Sequence, residues 1–457
     1  MDSLAQYLRL FDQNRPLLLD GPQAVAAPLR LRAYEALQTH GLPTRKEEKY
    51  RYTDVQSCLA LDYGLNLHRR PSGMEAHDVS RGRVAGVNGP LVLMANDEVL
   101  SVADGRCPMP AGVEVNSLGV VAAQSPRWLA DHLAQLAVVE QDSIVALNTL
   151  LAQEGLVVRA HAGCCPGQPI QVVCQGASQM DLMTLRRLLV VVEEDAELSL
   201  LMVYRDAGEY RRLVSQVAEV YLEKNARLHL WLIEQGQAAT QLFDHVVVRQ
   251  AARSRLDCGC FSLQGGTTRR TLEVCQLGQE AVTQVYGGVI GLGREHVDNH
   301  LLIRHEAPNC QSDVLFKYVL DDESVGAFAG KVLVQRGAQK IQSQETNANL
   351  CVSPTARMFT QPMLEIYADD VKCNHGSTVG RLDERALFYM AQRGIPEPEA
   401  RMLLQEAFLG EAVARVAHEP LRERLSYWVE ERFRYKMGHC NGCDICDTER
   451  LLKEKKE

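Results

Sequence analysis

The chain has 457 residues, of which 46% are hydrophobic and 23% charged, with a formal net charge of −9 and an isoelectric point near 5.9. This length exceeds what one compact core usually holds, so two or three domains are expected. The acidic balance argues against nucleic-acid binding, so we expect no nucleic-acid partner. The sequence has no run of eighteen apolar residues that would predict a transmembrane helix, so we expect no membrane partner.

The amino-terminal stretch lacks the basic and apolar regions of a signal peptide. The chain contains fourteen cysteines. Without a secretion signal, these cysteines are expected to be reduced thiols or metal ligands rather than disulfides. Together these features predict a cytoplasmic protein.

Residues 1–165 predict a mixed domain that is largely helical at its start. Apolar residues recur at helical spacing in SLAQYLRLFDQN (3–14), and ALNTLLAQ (146–153) predicts another helix. The charged, tyrosine-rich run PTRKEEKYRYTDV (43–55) indicates a helix end that leads into a turn.

Residues 166–380 predict an all-β core, because short β-branched and aliphatic runs alternate with small polar turns. The related units DAELSL, NARLHL and RSRLDC place Leu198, Leu228 and Leu256 in matching positions, at intervals of 30 and 28 residues. A recurring strand–turn–strand unit suits a β-solenoid, in which each coil buries its apolar face on the next. It also suits a sandwich of hairpins, and the repeat slightly favours the solenoid.

Residues 381–436 predict a carboxy-terminal helical domain with three amphipathic helices. The first, LDERALFYMAQRG (382–394), ends in a glycine of the kind that terminates helices. The second, IPEPEARMLLQEAFLG (395–410), has prolines at its start, and the third lies in PLRERLSYWVEERFRYKM (420–437). A cysteine-rich, charged tail (437–457) follows.

Signatures of catalysis are missing from the sequence. The run GAFAGKVL (326–333) has three residues between its glycines and Val332 after Lys331, whereas a phosphate loop needs four residues and then Ser or Thr. No G-x-S-x-G or H-E-x-x-H segment occurs, and no spacing indicates a catalytic triad. We therefore expect the chain not to be an enzyme by itself.

The segment ADDVKCNHGSTVG (368–380) places Cys373 and His375 two residues apart. In a strand, such residues face the same side, so a thiolate and an imidazole could share an iron or zinc ion with ligands from elsewhere. The alternative is that Cys373 is a packed small residue and that His375 caps a turn at Gly376. Spacing alone leaves both interpretations open and favours the second.

The tail segment GHCNGCDICD predicts a metal site more strongly. Cys440, Cys443 and Cys446 follow a C-x₂-C-x₂-C spacing that brings three thiolates within reach of one ion or cluster, and His439 is a candidate fourth ligand. Zinc and iron both suit such a set. The alternative is redox-sensitive thiols or a tail without a ligand.

The stretch from 343 to 396 resembles the SufB/SufD family of iron–sulfur cluster assembly scaffolds. It contains an asparagine-rich turn, the core PMLEIYADDVKCNHGSTVG and the helix start LDERALFY. The run PTRKEEKYRYTD is also similar to the amino-terminal part of the family. The chain resembles the SufD branch, because CNHGSTVG is the SufD form and Ala356 stands where SufB carries a cysteine.

The resemblance implies a right-handed parallel β-helix core between two helical domains. It implies a subunit without catalysis of its own that pairs with a SufB-like subunit and docks a SufC-like ABC-type ATPase. The family's docking surface corresponds to helices at about 384–416, where the candidate contacts are Leu387, Phe388, Met402, Leu403 and Phe408.

For cofactors, the resemblance implies a transient iron–sulfur cluster shared with SufB, near His375 and Cys373. It also implies reduced FAD in some complexes, with no residue here assignable to it. The tail cysteines do not belong to the family pattern.

Two other functions stay open at this stage: a subunit associated with an ABC-type transporter and a β-helix carbohydrate-active enzyme. Because a solenoid exposes strand edges at its ends, we also expect a homodimer when the chain is alone.

Overall fold

The computed structural model describes residues 3–20, 26–68, 74, 82–102, 107–176, 178–206 and 210–434. The described helices are α1 Ser3–Gln13, α2 Arg15–Leu19, α3 Ala27–His40, α4 Val55–Leu59, α5 Leu118–Gln124, α6 Pro126–His132, α7 Ser143–Leu151, α8 Glu384–Gln392, α9 Glu397–Val413 and α10 Glu419–Arg434, with a 3₁₀ turn at Glu48–Tyr50. None of these helices is long and apolar enough to cross a membrane.

The strands dominate the middle of the chain. They are β1 Gly64–Leu65, β2 Leu91–Ala95, β3 Glu98–Ser101, β4 Val113–Ser117, β5 Glu154–Ala160, β6 Ile170–Gly176, β7 Leu182–Val192, β8 Glu197–Asp206, β9 Arg212–Leu222, β10 Arg227–Gln235, β11 Thr240–Gln250, β12 Arg255–Gln264, β13 Thr267–Gln276, β14 Val282–Gly291, β15 His296–His305, β16 Gln311–Leu320, β17 Val325–Val334, β18 Ile341–Cys351, β19 Arg357–Ile366 and β20 Val371–Gly380.

From β5 onward, successive strands alternate between two parallel sheets, and each strand pairs with the second strand after it. We call the sheet of odd-numbered strands sheet A and the sheet of even-numbered strands sheet B. The chain therefore winds through a β-solenoid of about seven turns, which confirms the solenoid and excludes the sandwich of hairpins. The repeated leucines are stacked in register, Leu198 against Leu228 and Leu228 against Leu256.

A residue in the left-handed backbone conformation recurs at the corners of the solenoid. Asp195, Asn225 and Arg253 occupy equivalent corners with φ of 58°, 59° and 57°. Asp and Asn tolerate this conformation better than most residues. The corner side chains also form a ladder, since Asn225 Nδ2 donates to Asp195 Oδ1 at 2.6 Å and Arg253 Nε donates to Asn225 Oδ1 at 2.7 Å. These repeated turns help to hold successive coils in register.

Apolar residues fill the space between the sheets and also cover both outer faces. The amino-terminal helices pack on the outer face of sheet A, where Phe11 and Leu37 belong to the same buried cluster as Phe243. The carboxy-terminal helices pack on the outer face of sheet B, where Trp428 shares a buried cluster with Trp231. The result is four layers: helices, sheet A, sheet B, helices.

The two ends of the solenoid differ. At the start, β4 pairs antiparallel with β5, and β3 pairs antiparallel with β2, so each sheet ends on an antiparallel strand. At the far end, β19 and β20 are each hydrogen-bonded to a single neighbouring strand of their own sheet among the described residues. We call this last turn, formed by β19 and β20, the open end.

Candidate functional site at the open end

Cys373 and His375 both lie in β20, which is the final strand of sheet B. The strand continues without interruption from Val371 to Gly380, so the prediction that His375 caps a turn at Gly376 is wrong. In the parallel pairing with β18, Cys373 lies opposite Ser343 and His375 opposite Glu345. Since Ser343 and Glu345 are buried inside the solenoid, Cys373 and His375 share the inward face of the strand.

Cys373 packs at the corner of the last turn. Its half-buried side chain lies against an apolar cluster that includes Val332, Val334 and Ile341. Burial raises the pKa of the Cys373 thiol. Because the thiolate is the form that binds metal, this environment favours the packed, protonated state over a ligand.

His375 is exposed, in contrast to its neighbour on the same face. It stands in the last strand of its sheet, with no further coil of the described chain above it. An imidazole in this position is accessible to a second molecule that packs on the open end. The geometry therefore leaves His375 the more available of the two predicted ligands.

Glu345 lies directly beneath His375 and was not found by the sequence analysis. Its side chain is fully buried, and neither carboxylate oxygen has a hydrogen-bond partner. Burial raises its pKa to about 7. The signal was present in QETNAN (344–349), where polar residues alternate in a strand and therefore face inward together.

Polar side chains next to Glu345 form a hydrogen-bonded network between β18 and the last turn. Asn347 and Asn349 exchange side-chain hydrogen bonds at 3.2 and 2.7 Å. Thr360 of β19 and Ser377 of β20 each donate to Asn347 Oδ1, at 2.9 and 3.2 Å. This network ties three strands from both sheets together, so the asparagine-rich segment fixes the position of the last coil rather than forming a turn.

Apolar side chains surround the open end. Phe359 of β19 is 37% exposed and stacks on Tyr52 with ring centroids 4.7 Å apart. Ile366 at the end of β19, Tyr367 just after it and Val379 of β20 are 40%, 55% and 51% exposed. Exposed apolar groups beside free strand edges are typical of an interaction surface.

The predicted docking residues divide into two groups. Phe388 of α8 and Leu403 of α9 are exposed, at 67% and 37%. Leu387, Met402 and Phe408 are half-buried, and Lys317 Nζ lies 4.4 Å from the centre of the Phe408 ring. Phe388 and Leu403 are therefore free to contact a partner, whereas Met402 and Phe408 also pack against the buried cluster beside sheet B.

Some predicted metal ligands lie outside the described part of the chain. His439, Cys440, Cys443 and Cys446 are among these residues, so the tail site stays a prediction. Within the described ranges, no group of three or more His, Cys, Asp or Glu side chains could hold a metal ion. The open end thus offers ligand-type side chains without a complete coordination set.

Two family models match the chain. The model described as the SUF system FeS cluster assembly SufBD core domain matches residues 173–408, and the model of the SufBD protein N-terminal region matches residues 1–172. A SufBD family iron–sulfur cluster assembly protein of Synechocystis is 27% identical over 421 residues, covering 88% of this chain and 89% of the relative. The iron–sulfur cluster assembly protein SufD of Escherichia coli is 25% identical over 399 residues, covering 86% of this chain and 89% of the relative.

Proposed function

Since the chain belongs to the SufBD family of iron–sulfur cluster assembly proteins, we propose that it is a non-catalytic scaffold subunit of a cytoplasmic complex that builds these clusters. In this proposal it pairs with a SufB-like subunit and docks a SufC-like ABC-type ATPase. The cluster is cargo that passes through the complex. ATP hydrolysis belongs to the partner.

The observation that carries the proposal is the chemistry of the open end. His375 is exposed there above a polar interior, while free strand edges and apolar side chains surround it. A second solenoid packed on this end would cover the apolar groups and extend both sheets. It would also place its own ligands next to His375, so that the two subunits could hold a nascent cluster between them.

Docking of the ATPase is proposed for the carboxy-terminal helices α8 and α9. The exposed side chains of Phe388 and Leu403 are apolar anchors of the kind that dominate protein interfaces. The tail cysteines, Cys440, Cys443 and Cys446 with His439, are proposed to hold zinc or iron, and reduced FAD is proposed to supply electrons within the complex.

Co-purification tests the docking surface. The variant Phe388→Asp/Leu403→Asp is expected to lose at least 10-fold in affinity for the ATPase, because two apolar anchors become charged at the interface. It is expected to keep the SufB-like partner. Leu277→Asp is a matched control, since Leu277 is an exposed leucine in the corner between β13 and β14. Retention of the ATPase by the double variant would place the docking surface elsewhere.

A further inference from the structure

Glu345 differs from other carboxylates buried in the solenoid. Asp244 accepts a hydrogen bond from Arg270 Nε at 3.0 Å, and Glu219 pairs with Arg187 at 3.2 Å. Neither oxygen of Glu345 has a hydrogen-bond partner, although the side chain is fully buried. An unpaired buried carboxylate is costly, so a group in this position calls for a proton or a cation that compensates its charge.

The strand opposite Glu345 leaves room for its carboxylate. A Cβ atom built on Gly330 of β17 would lie 2.3 Å from Glu345 Oε1. Gly330 is not in the left-handed region, so the glycine is explained by space rather than by backbone conformation. The carboxylate therefore lies across the interior, one coil below the open end.

His375 is the in-register neighbour of Glu345 on the next coil. Paired residues on adjacent strands lie about 4.8 Å apart and point to the same face. At this spacing, a carboxylate and an imidazole that turn toward each other can bind one ion at about 2 Å each. An imidazole nitrogen with a carboxylate oxygen is a ligand combination that suits divalent iron.

We propose that Glu345 and His375 together form one half of a site for divalent iron at the open end, and that the SufB-like partner, sulfide or water supplies the other ligands. This inference rests on the proposed function and names the residue that would receive the iron. It assigns Glu345 a role as a ligand, and it leaves Cys373 in a packing role.

The half-site provides two ligands of its own. Two ligands hold an ion more weakly than a full set, so iron is expected to bind the isolated chain weakly and the assembled complex tightly. Filling the other positions from a partner would couple iron retention to pairing of the two subunits.

Anaerobic titration of Fe²⁺ into the isolated full-length chain tests the half-site. The parent carries Cys440→Ser, Cys443→Ser and Cys446→Ser, so that the tail does not bind the added iron, and Val379→Lys, so that a second copy does not cover the open end. Calorimetry is expected to show one Fe²⁺ per chain. Glu345→Gln and, independently, Glu345→Met are expected to weaken this binding by 10-fold or more.

Glu234→Gln is the matched control, since Glu234 is also an interior carboxylate with a raised pKa but lies in β10, far from the open end in the strand order. It is expected to bind Fe²⁺ like the parent. The proposal is overturned if the parent shows no such site, if the Glu345 variants bind like the parent, or if Glu234→Gln loses binding equally. None of these results bears on the scaffold function, which is tested separately by the iron and sulfide content of the complex.

Discussion

Glu234 lies fully buried inside the solenoid, where Thr268 Oγ1 donates a hydrogen bond to it. Burial raises the pKa of Glu234 to about 7, and the nearby Arg270 guanidinium opposes the shift only in part. The folded protein therefore holds this proton more tightly than the unfolded chain does. Its contribution to stability is fully present below about pH 4.5 and is lost as the pH rises to about 7.

Replacement of Glu234 by Gln removes this pH dependence. Between pH 5 and pH 8, the free energy of unfolding of the natural chain is expected to fall by about 1–3 kcal/mol relative to Glu234→Gln. Urea unfolding at the two pH values measures the difference. Parallel pH profiles for the two proteins would show that Glu234 titrates normally in the fold.

At the level of single residues, the sequence indicated His375 and Cys373 as candidates but did not indicate Glu345. A two-residue spacing in a strand is visible in the sequence, so the shared face of Cys373 and His375 was predictable. The contrast between an exposed imidazole and a half-buried thiol was not, because it depends on which coil ends the solenoid. Glu345 becomes a candidate only because its strand pairs with β20, which places His375, 30 residues away in the sequence, next to it.

The segment 43–55 contains the 3₁₀ turn and crosses the outer face of sheet A; we call it the strap. Thr53 Oγ1 donates to Asp298 at 2.6 Å, and Lys49 Nζ lies 3.2 Å from Glu273. Tyr52 stacks on Phe359 at the open end. The strap therefore links the amino-terminal domain to strands β13, β15 and β19.

Asp142, the residue before α7, binds two residues of the strap. Its carboxylate accepts a hydrogen bond from Tyr50 at 2.7 Å, lies 2.8 Å from Lys49 Nζ and caps the helix through the N–H groups of Ile144 and Val145. Burial by itself would raise the pKa of Asp142, but the charge of Lys49 holds that pKa well below its usual range.

Removal of the Asp142 carboxylate is expected to destabilise the fold strongly. Asp142→Ala is expected to lower the free energy of unfolding by about 3–5 kcal/mol, because Lys49 and the Tyr50 hydroxyl lose their buried partner and α7 loses its cap. Asp142→Asn keeps the capping oxygen and should cost less. Urea denaturation compares the three proteins, and a loss below about 1 kcal/mol in Asp142→Ala would contradict this role.

Helices such as α1 and α7 were predictable from local periodicity, and the structure confirms both. The strap was predicted as a helix end leading into a turn. Its passage over sheet A could not be predicted, since its partners lie between 92 and 313 residues further along the chain. Local pattern determines the elements, whereas burial against distant strands determines where they lie.

The middle of the chain is a solenoid that begins with antiparallel strands and ends at the open end. The repeat of Leu198, Leu228 and Leu256 favoured a solenoid over a sandwich, because a coil that buries its apolar face on the next must repeat that face. The outer coverings were not predictable from the repeat. Residues on both faces of each sheet are apolar, and only the fold assigns one face to the core and the other to helices.

An uncovered open end predicts self-association. The isolated chain is expected to form a homodimer at micromolar concentration, since Ile366 and Val379 lie exposed next to free strand edges. Val379→Lys should shift the protein toward monomer while keeping its secondary structure. Light scattering measures the mass directly, and a monodisperse monomer of the natural chain would contradict the expectation.

The scaffold account is tested most directly by the iron and sulfide content of the complex. The chain is co-expressed anaerobically with a SufB-like subunit and a SufC-like ATPase, as the natural sequence, as His375→Ala and as Asn374→Ala, which alters the opposite face of the same strand. The account predicts that iron and sulfide fall several-fold in His375→Ala alone, while the complex stays intact. Unchanged iron and sulfide in an intact His375→Ala complex would contradict it.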